Sequence, residues 1–368
     1  MTGDIMRRDA AQSIIELCRL GLDAETLRSR LLPRLRRAVP VDGLWWATVD
    51  PATLLFTGTY QEEIPDRTKP YFLENEFIAD DVNKWVEVAR DPAGVRTLVQ
   101  ATEGTMSRSA RYTDIFQPLG FGDEMRAVFR VQGACWGFIC LHREGQQPFS
   151  SDEALFMRTI APHVALGIRA GLVTGTLDAA DVNRAPGVIL LSAELAVTGW
   201  TPAAEQWLEE LGYTAARNAP LPTELLAVAA QLQGQTRADS EVPRLRVHTR
   251  AGRWAVLHAS RLPTGAGEAI AVTIDDASPA EVAPIIMLAY GLTEHERTIT
   301  GLVCQGLSTS EIATKARVSA NTVQDHLKAV FVKVGVRSRR ELVVQILRDH
   351  YSPYLKAGHL PGRSGFFA

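Results

Sequence analysis

The sequence predicts an α+β chain of several domains: two antiparallel-sheet domains in succession, then an all-α module of four helices. Three observations lead there. Apolar runs with strand character, bounded by Gly, Pro and Asp turn signals, occur in two separate groups with helical segments among them. Three Ser/Thr-x-x-Glu boxes, Thr293–Glu296, Ser308–Glu311 and Ser338–Glu341, crowd into the C-terminal part. Charge divides in the same place: residues 287–350 hold nine Lys+Arg and six Asp+Glu, residues 351–368 hold two basic groups and no acid, and residues 1–286 carry a net charge of −8. A mildly basic end on an acidic body suits one nucleic-acid-facing module joined to a scaffold or sensor.

With 368 residues, 46% hydrophobic and 22% charged, the chain can build large cores without disulfides. Residues 8–38 read as two helices broken at Gly21, the second ending at Pro40. Strand candidates follow at 43–50 and 54–60 around the Asp50-Pro51 turn, and helix-like pieces occupy the mixed stretch 66–117. A hairpin is expected from 125–132 and 134–143 with Gly133 at the turn. Phe149-Ser150-Ser151-Asp152 then opens a long helix, about 151–172, with Leu155, Phe156, Ile160, Val164, Leu166 and Ile168 on its apolar side. A linker at 174–186 precedes a second group: strands at 187–192 and 196–200, a helix capped by Thr201, a helix ending at Gly234, and three strands. The predicted layout is N-terminal helices 1–40, sheet domains 41–173 and 185–277, a connector 278–290, a helical module 291–350 and a tail 351–368.

In the C-terminal module the boxes open helices at 294, 309 and 339, and Ser319 caps another from 320 to 334. A short helix, the tight turn Arg317-Val318 and a second amphipathic helix is the arrangement that places one helix in a major groove. Ile299, Leu302, Ile312, Ala313, Val318, Val323, Leu327, Val330 and Phe331 are the expected inward positions.

The stretch from Leu292 to Val343 resembles the LuxR-type helix-turn-helix family, matching LTxRE, a glycine, EIA, TVxxHL and KxGVxxR at Thr293, Glu296, Gly306, Glu311, Ile312, Ala313, Thr322, Val323, His326, Leu327, Lys333, Gly335, Val336 and Arg339. The resemblance implies a transcription regulator that binds double-stranded DNA as a homodimer, with RNA polymerase a further partner. It makes 320–334 the recognition helix, with Gln324, Asp325 and Lys328 toward base edges. Ser308, Asn321, Thr322, Lys333, Arg337 and Arg339 become candidate phosphate contacts. Leu342, Val343, Ile346 and Leu347 correspond to the dimer helix of relatives. The family usually carries Lys where this chain has Gln324, and Asp325 adds a negative charge, so weaker, less charge-driven binding is expected. A protein-binding adaptor, using the same helices without specific DNA binding, stays open.

Region 20–172 resembles a GAF domain, through its hairpin with Trp136-Gly137 and the Phe149-Ser150-Ser151-Asp152 helix start, and 187–275 resembles a PAS domain. Such domains hold small ligands or dimerise. Trp45, Trp46, Phe116, Phe121, Trp136 and Phe138 are either pocket walls or plain core, and the adjacent Trp45 and Trp46 must point to opposite faces, so at most one is expected in core or cavity. His142 and His163 each stand alone and read as satisfied or exposed histidines. Cys18, Cys135, Cys140 and Cys304 lack zinc-ligand spacing and read as reduced, mostly buried thiols. No hydrolase, metalloprotease or nucleotide-binding motif appears, which argues against an enzyme, and no cofactor is expected beyond an unidentified sensor ligand. No signal-peptide pattern opens the chain and no apolar run reaches ~18 residues, so a cytoplasmic protein is expected.

Overall fold

The computed structural model describes residues 2–145, 147–174, 185–214, 221–236, 242–250, 252–265 and 267–346. The core of the expected linker (175–184), Leu347, the end of the last helix (347–350) and the tail (351–368) lie outside these residues. The chain divides into two compact units, one with both sheets and one with the C-terminal helices.

The first sheet domain runs α1 (Thr2–Cys18), α2 (Ala24–Ala38), β1 (Gly43–Val49), β2 (Phe56–Glu62), α3 (Lys69–Phe77), α4 (Trp85–Arg90), β3 (Val95–Thr97), α5 (Leu98–Ala101), β4 (Phe121–Val131), β5 (Ala134–Glu144) and α6 (Ser151–Thr174). Its strands pair antiparallel in the order β2-β1-β5-β4-β3. The α6 helix lies on β3, β4 and β5, and α1 and α2 pack against α6. Asp23 starts α2 by accepting the Thr26 amide at 2.8 Å, and Leu27, Leu31 and Leu35 bury its inner side. On α6 the buried positions are Phe156, Met157, Ile160, Ala161, Val164, Ala165 and Ile168. Leu155, expected on that face, is 55% exposed: the helix turns its Ala and Met positions inward, where α1 passes closely. A Cβ at Gly171 would sit 2.5 Å from the Leu22 carbonyl, so only glycine permits that approach.

The expectation of at most one buried Trp in β1 is corrected. Trp45 packs on Phe56, Phe72 and Trp85, while Trp46 packs on Phe129 at 4.6 Å, and both are buried. The sheet is covered on both faces, so alternation does not send either ring to solvent.

The second sheet domain comprises β6 (Gly187–Leu191), β7 (Val197–Trp200), α7 (Pro202–Glu210), α8 (Thr223–Gly234), β8 (Arg244–His248), β9 (Trp254–Thr264) and β10 (Gly267–Asp276). Its order, β7-β6-β10-β9-β8, repeats the pattern of the first sheet. The α8 helix lies on α3 and β2. Thr59 donates to Thr223 at 3.1 Å, and Arg246 Nε reaches the buried Asp50 carboxylate at 2.7 Å. Thr201 accepts the Val188 amide rather than an amide of α7.

The second unit contains α9 (Pro279–Ala289), α10 (Glu294–Cys304), α11 (Thr309–Ala316), α12 (Ala320–Val334) and a helix at 339–346. The stretch read as a connector holds α9, opened by a capping box of Ser278 and Glu281, with Val282, Ile285 and Ile286 buried.

Candidate nucleic-acid interface and buried cavity

Thr293/Glu296 and Ser308/Glu311 form full reciprocal boxes at α10 and α11. At the third, Ser338 accepts the Glu341 amide, but Glu341 takes the amide of Arg337 instead of the cap's own. Ile299, Leu302, Ile312, Val323, Leu327 and Val330 are buried, with Val303 and Val334 beside them. Ala313, Val318 and Phe331 are only half-buried. Between α11 and α12 the chain reverses at Arg317, whose φ of +56° lies in the left-handed region.

On α12, Gln324, Asp325 and Lys328 are all exposed on the side away from Val323, Leu327 and Val330. Lys328 Nζ lies 3.2 Å from Asp325 Oδ1, so the cation of this face is partly neutralised by its own neighbour. Asn321 is exposed in the first turn, and Thr322 donates its amide to the Ser319 hydroxyl, whose oxygen lies 2.8 Å from the Thr322 hydroxyl. Ser308 caps α11 and Arg337 is exposed.

Several expected contacts have other partners. Lys333 was expected at phosphate; its ammonium instead lies 2.6 Å from Glu296 Oε2, the carboxylate that caps α10. Burial opposes the charge on Glu296, yet Lys333 and the Thr293 amide hold its carboxyl below the usual range. Arg339 donates to the Leu307 carbonyl ahead of α11. Of the residues aligned with the dimer helix of relatives, Leu342 and Ile346 are fully buried and Val343 is half-buried, while the neighbouring Val344 is 53% exposed. Exposed Lys315, Arg317 and Arg340, which fall outside the family motif positions considered as contacts, add further positive charge to the unit.

The other candidate site is a cavity of about 400 Å³, counting its mouth, in the first sheet domain. Trp45 and Phe116 line it as expected, joined by Phe72, Ile115, Cys140 and His142, with Lys69 and Thr223 also on its wall. Trp136 and Phe138 do not line it. Phe138 is stacked under Trp85 at 4.4 Å, and both rings are core, because the cavity meets β5 only at its Cys140–His142 end.

Beneath the cavity lies a buried ionic network that composition could not reveal. Glu124 accepts from Arg111 Nη2 (2.8 Å), Arg126 Nε (3.0 Å) and Cys140 Sγ (3.0 Å). Arg126 also reaches Glu76 at 2.8 Å, and Asp81 accepts from Asn75, Ser109 and the Arg111 amide. Burial works against the charge on Glu124, but the two guanidiniums outweigh it and hold the carboxyl far below its usual range. His142 pairs with Glu124 in the β4–β5 register, so both occupy one face of the sheet. Contrary to expectation it is neither satisfied nor exposed: it is 1% exposed and neither ring nitrogen has a partner. Burial lowers its pKa to about 4. Cys140 moves the opposite way, pushed well up by burial and by Glu124. Cys18 and Cys135 are buried free thiols pushed up to about 12 by burial.

Residues 291–346 match the family model described as bacterial regulatory proteins, luxR family. Over 57 residues the chain is 39% identical to the spore germination protein GerE of Bacillus subtilis, covering 16% of this chain and 77% of that protein. It is 46% identical over 57 residues to a putative HTH-type transcriptional regulator of Mycobacterium bovis, covering 16% of this chain but only 6% of that longer protein. Among solved structures, SdiA of Escherichia coli aligns over 92% of this chain and 94% of that one at 12% identity and a TM-score of 0.32. The GAF domain of a Coxiella burnetii phosphoenolpyruvate-protein phosphotransferase aligns over 45% of this chain and 93% of that domain, at 13% identity and a TM-score of 0.31.

Proposed function

Because the chain belongs to the luxR family of bacterial regulatory proteins, we propose that it is a transcription regulator whose α12 reads the major groove of double-stranded DNA. The observation that carries this reading is the α11–turn–α12 arrangement, with Gln324, Asp325 and Lys328 together on the exposed face of α12. Gln324 suits bidentate recognition of adenine and Lys328 the guanine edge, while Ser308, Asn321, Thr322 and Arg337 set the register on phosphates. A single module makes few contacts, so the working unit is taken as a homodimer on paired half-sites, acting on RNA polymerase at promoters in the cytoplasm. Among the described residues no helix is long and apolar enough to cross a membrane. The repeated strand order and the cavity support reading the sheet domains as GAF-like and PAS-like sensors, the first gated by a small ligand.

The test is selection of bound DNA from a random pool by the full chain, followed by a salt series on the selected site. Log affinity should fall linearly with log salt. Lys328→Ala should relax base preference at one position, a loss of about 1–3 kcal/mol of discrimination. Asp325→Asn, which frees Lys328 and removes a charge facing phosphate, should tighten binding roughly fivefold, as expected from about 1 kcal/mol between exposed charges. Failure to enrich any sequence would instead favour a protein-docking role for the helices.

A further inference from the structure

We infer that the cavity of the first sheet domain takes a small, uncharged, planar organic molecule that hydrogen-bonds to the ring of His142. This rests on the reading of that domain as a ligand sensor and specifies the chemistry it senses.

Thr68 donates to the Pro65 carbonyl, Thr223 accepts from Thr59, Lys69 is paired with Asp66, and Cys140 donates to Glu124. His142 is the cavity-lining residue left with buried side-chain polar atoms and no partner, among the described residues. An orphaned buried donor or acceptor is costly, and a site that keeps one is built to have it satisfied by something else. A neutral imidazole can present either an acceptor or an N–H to the cavity, depending on its tautomer.

Shape gives planarity. Trp45, Phe72, Phe116 and the His142 ring make the cavity wall largely aromatic, and aromatic surfaces pack well against a flat guest. The space is narrow and walled by Trp45, Phe72, Ile115 and Phe116 around His142, so only a small guest fits.

Charge gives neutrality. The charged groups at the cavity are already paired, Lys69 with Asp66 and Glu124 with Arg111 and Arg126, so an ionic guest would find no free counter-charge. A surrounding without one favours a neutral guest.

A metal ion is the competing occupant, since ligand atoms of Glu124, Cys140 and His142 lie within 4.8 Å of one another. The hydrogen bonds disfavour it: both Glu124 oxygens already accept from arginine, and an incoming cation would face two guanidiniums.

The probes are benzamide, benzoate and benzamidine, which share size and planarity and differ in charge. Binding to the full chain is followed by tryptophan fluorescence and by saturation-transfer NMR. Benzamide should bind at least tenfold tighter than either ion, and His142→Phe should weaken it at least tenfold. In wild-type protein labelled with ¹⁵N-histidine, benzamide should also shift one imidazole nitrogen pair, a readout independent of whether the variant folds. Tighter binding of either ion, equal binding by His142→Phe, no binding of any probe, or a stoichiometric metal lost in His142→Phe would each overturn the inference. The same preparations are assayed on DNA: retardation without probe binding removes only the ligand inference, and probe binding without retardation removes only the regulator reading.

Discussion

Acidification should destabilise the larger unit through His142, and the size of the effect follows from its surroundings. The ring is buried against Phe116 and Phe121, with Glu124, Arg111, Arg126 and Cys140 as its charged or titratable neighbours. Its pKa falls from 6.5 to about 4 on folding. Between those values the unfolded chain binds more protons than the folded one, so stability is complete above about pH 6.5 and declines as pH drops toward 4. At about 1.36 kcal/mol per pH unit the full loss is about 3 kcal/mol. Urea unfolding of the full chain, read by tryptophan fluorescence between pH 7.5 and 4.5, measures it. His142→Phe supplies the reference, because the apolar ring adds a constant offset while removing this titration. Carboxyls such as Asp123, pushed up by burial, titrate in both proteins and cancel in the difference. The wild type should lose about 2–3 kcal/mol more than the variant over that range. Parallel pH curves for the two proteins would refute the argument and mean that the folded ring takes its proton as readily as the unfolded one.

Two further predictions concern the C-terminal unit. Lys333→Met keeps the aliphatic stem but strips the ammonium from Glu296. It should lower the stability of the unit by about 1–2 kcal/mol and leave the salt slope of DNA binding unchanged; a slope smaller by about one, with stability intact, would return Lys333 to the phosphate backbone. Arg317→Gly relieves a left-handed residue at the turn and should raise thermal stability by about 0.5–1 kcal/mol, as judged by unfolding midpoint. An unchanged or lower midpoint would show that the Arg317 side chain contributes more than its backbone strain costs.

The helical module was legible because its signals are local. Capping boxes, the period of Ile299, Leu302, Val323 and Leu327, and the short turn at Arg317-Val318 all act within a few residues of one another. The two groups of strands were legible for the same reason, while the three-residue β3, too short to show an alternation, was not. The partners of Lys333, Arg339, Leu342 and Ile346 were not legible. Each residue type suits both solvent and a tertiary contact, and only packing chooses between them.

By itself the sequence determined the two sheets, the four helices after Leu292 and the exposed Gln324–Asp325–Lys328 face, because hydrogen-bonding caps and apolar periodicity are written in adjacent residues. Only the tertiary structure decided that His142 is an orphan at the floor of a cavity and that Arg111 and Arg126 clamp Glu124. His142 and Glu124 are eighteen positions apart along the chain but opposite each other in the β4–β5 register. Their environment depends on strand pairing, burial and the sum of neighbouring charges, none of which is a property of nearby sequence.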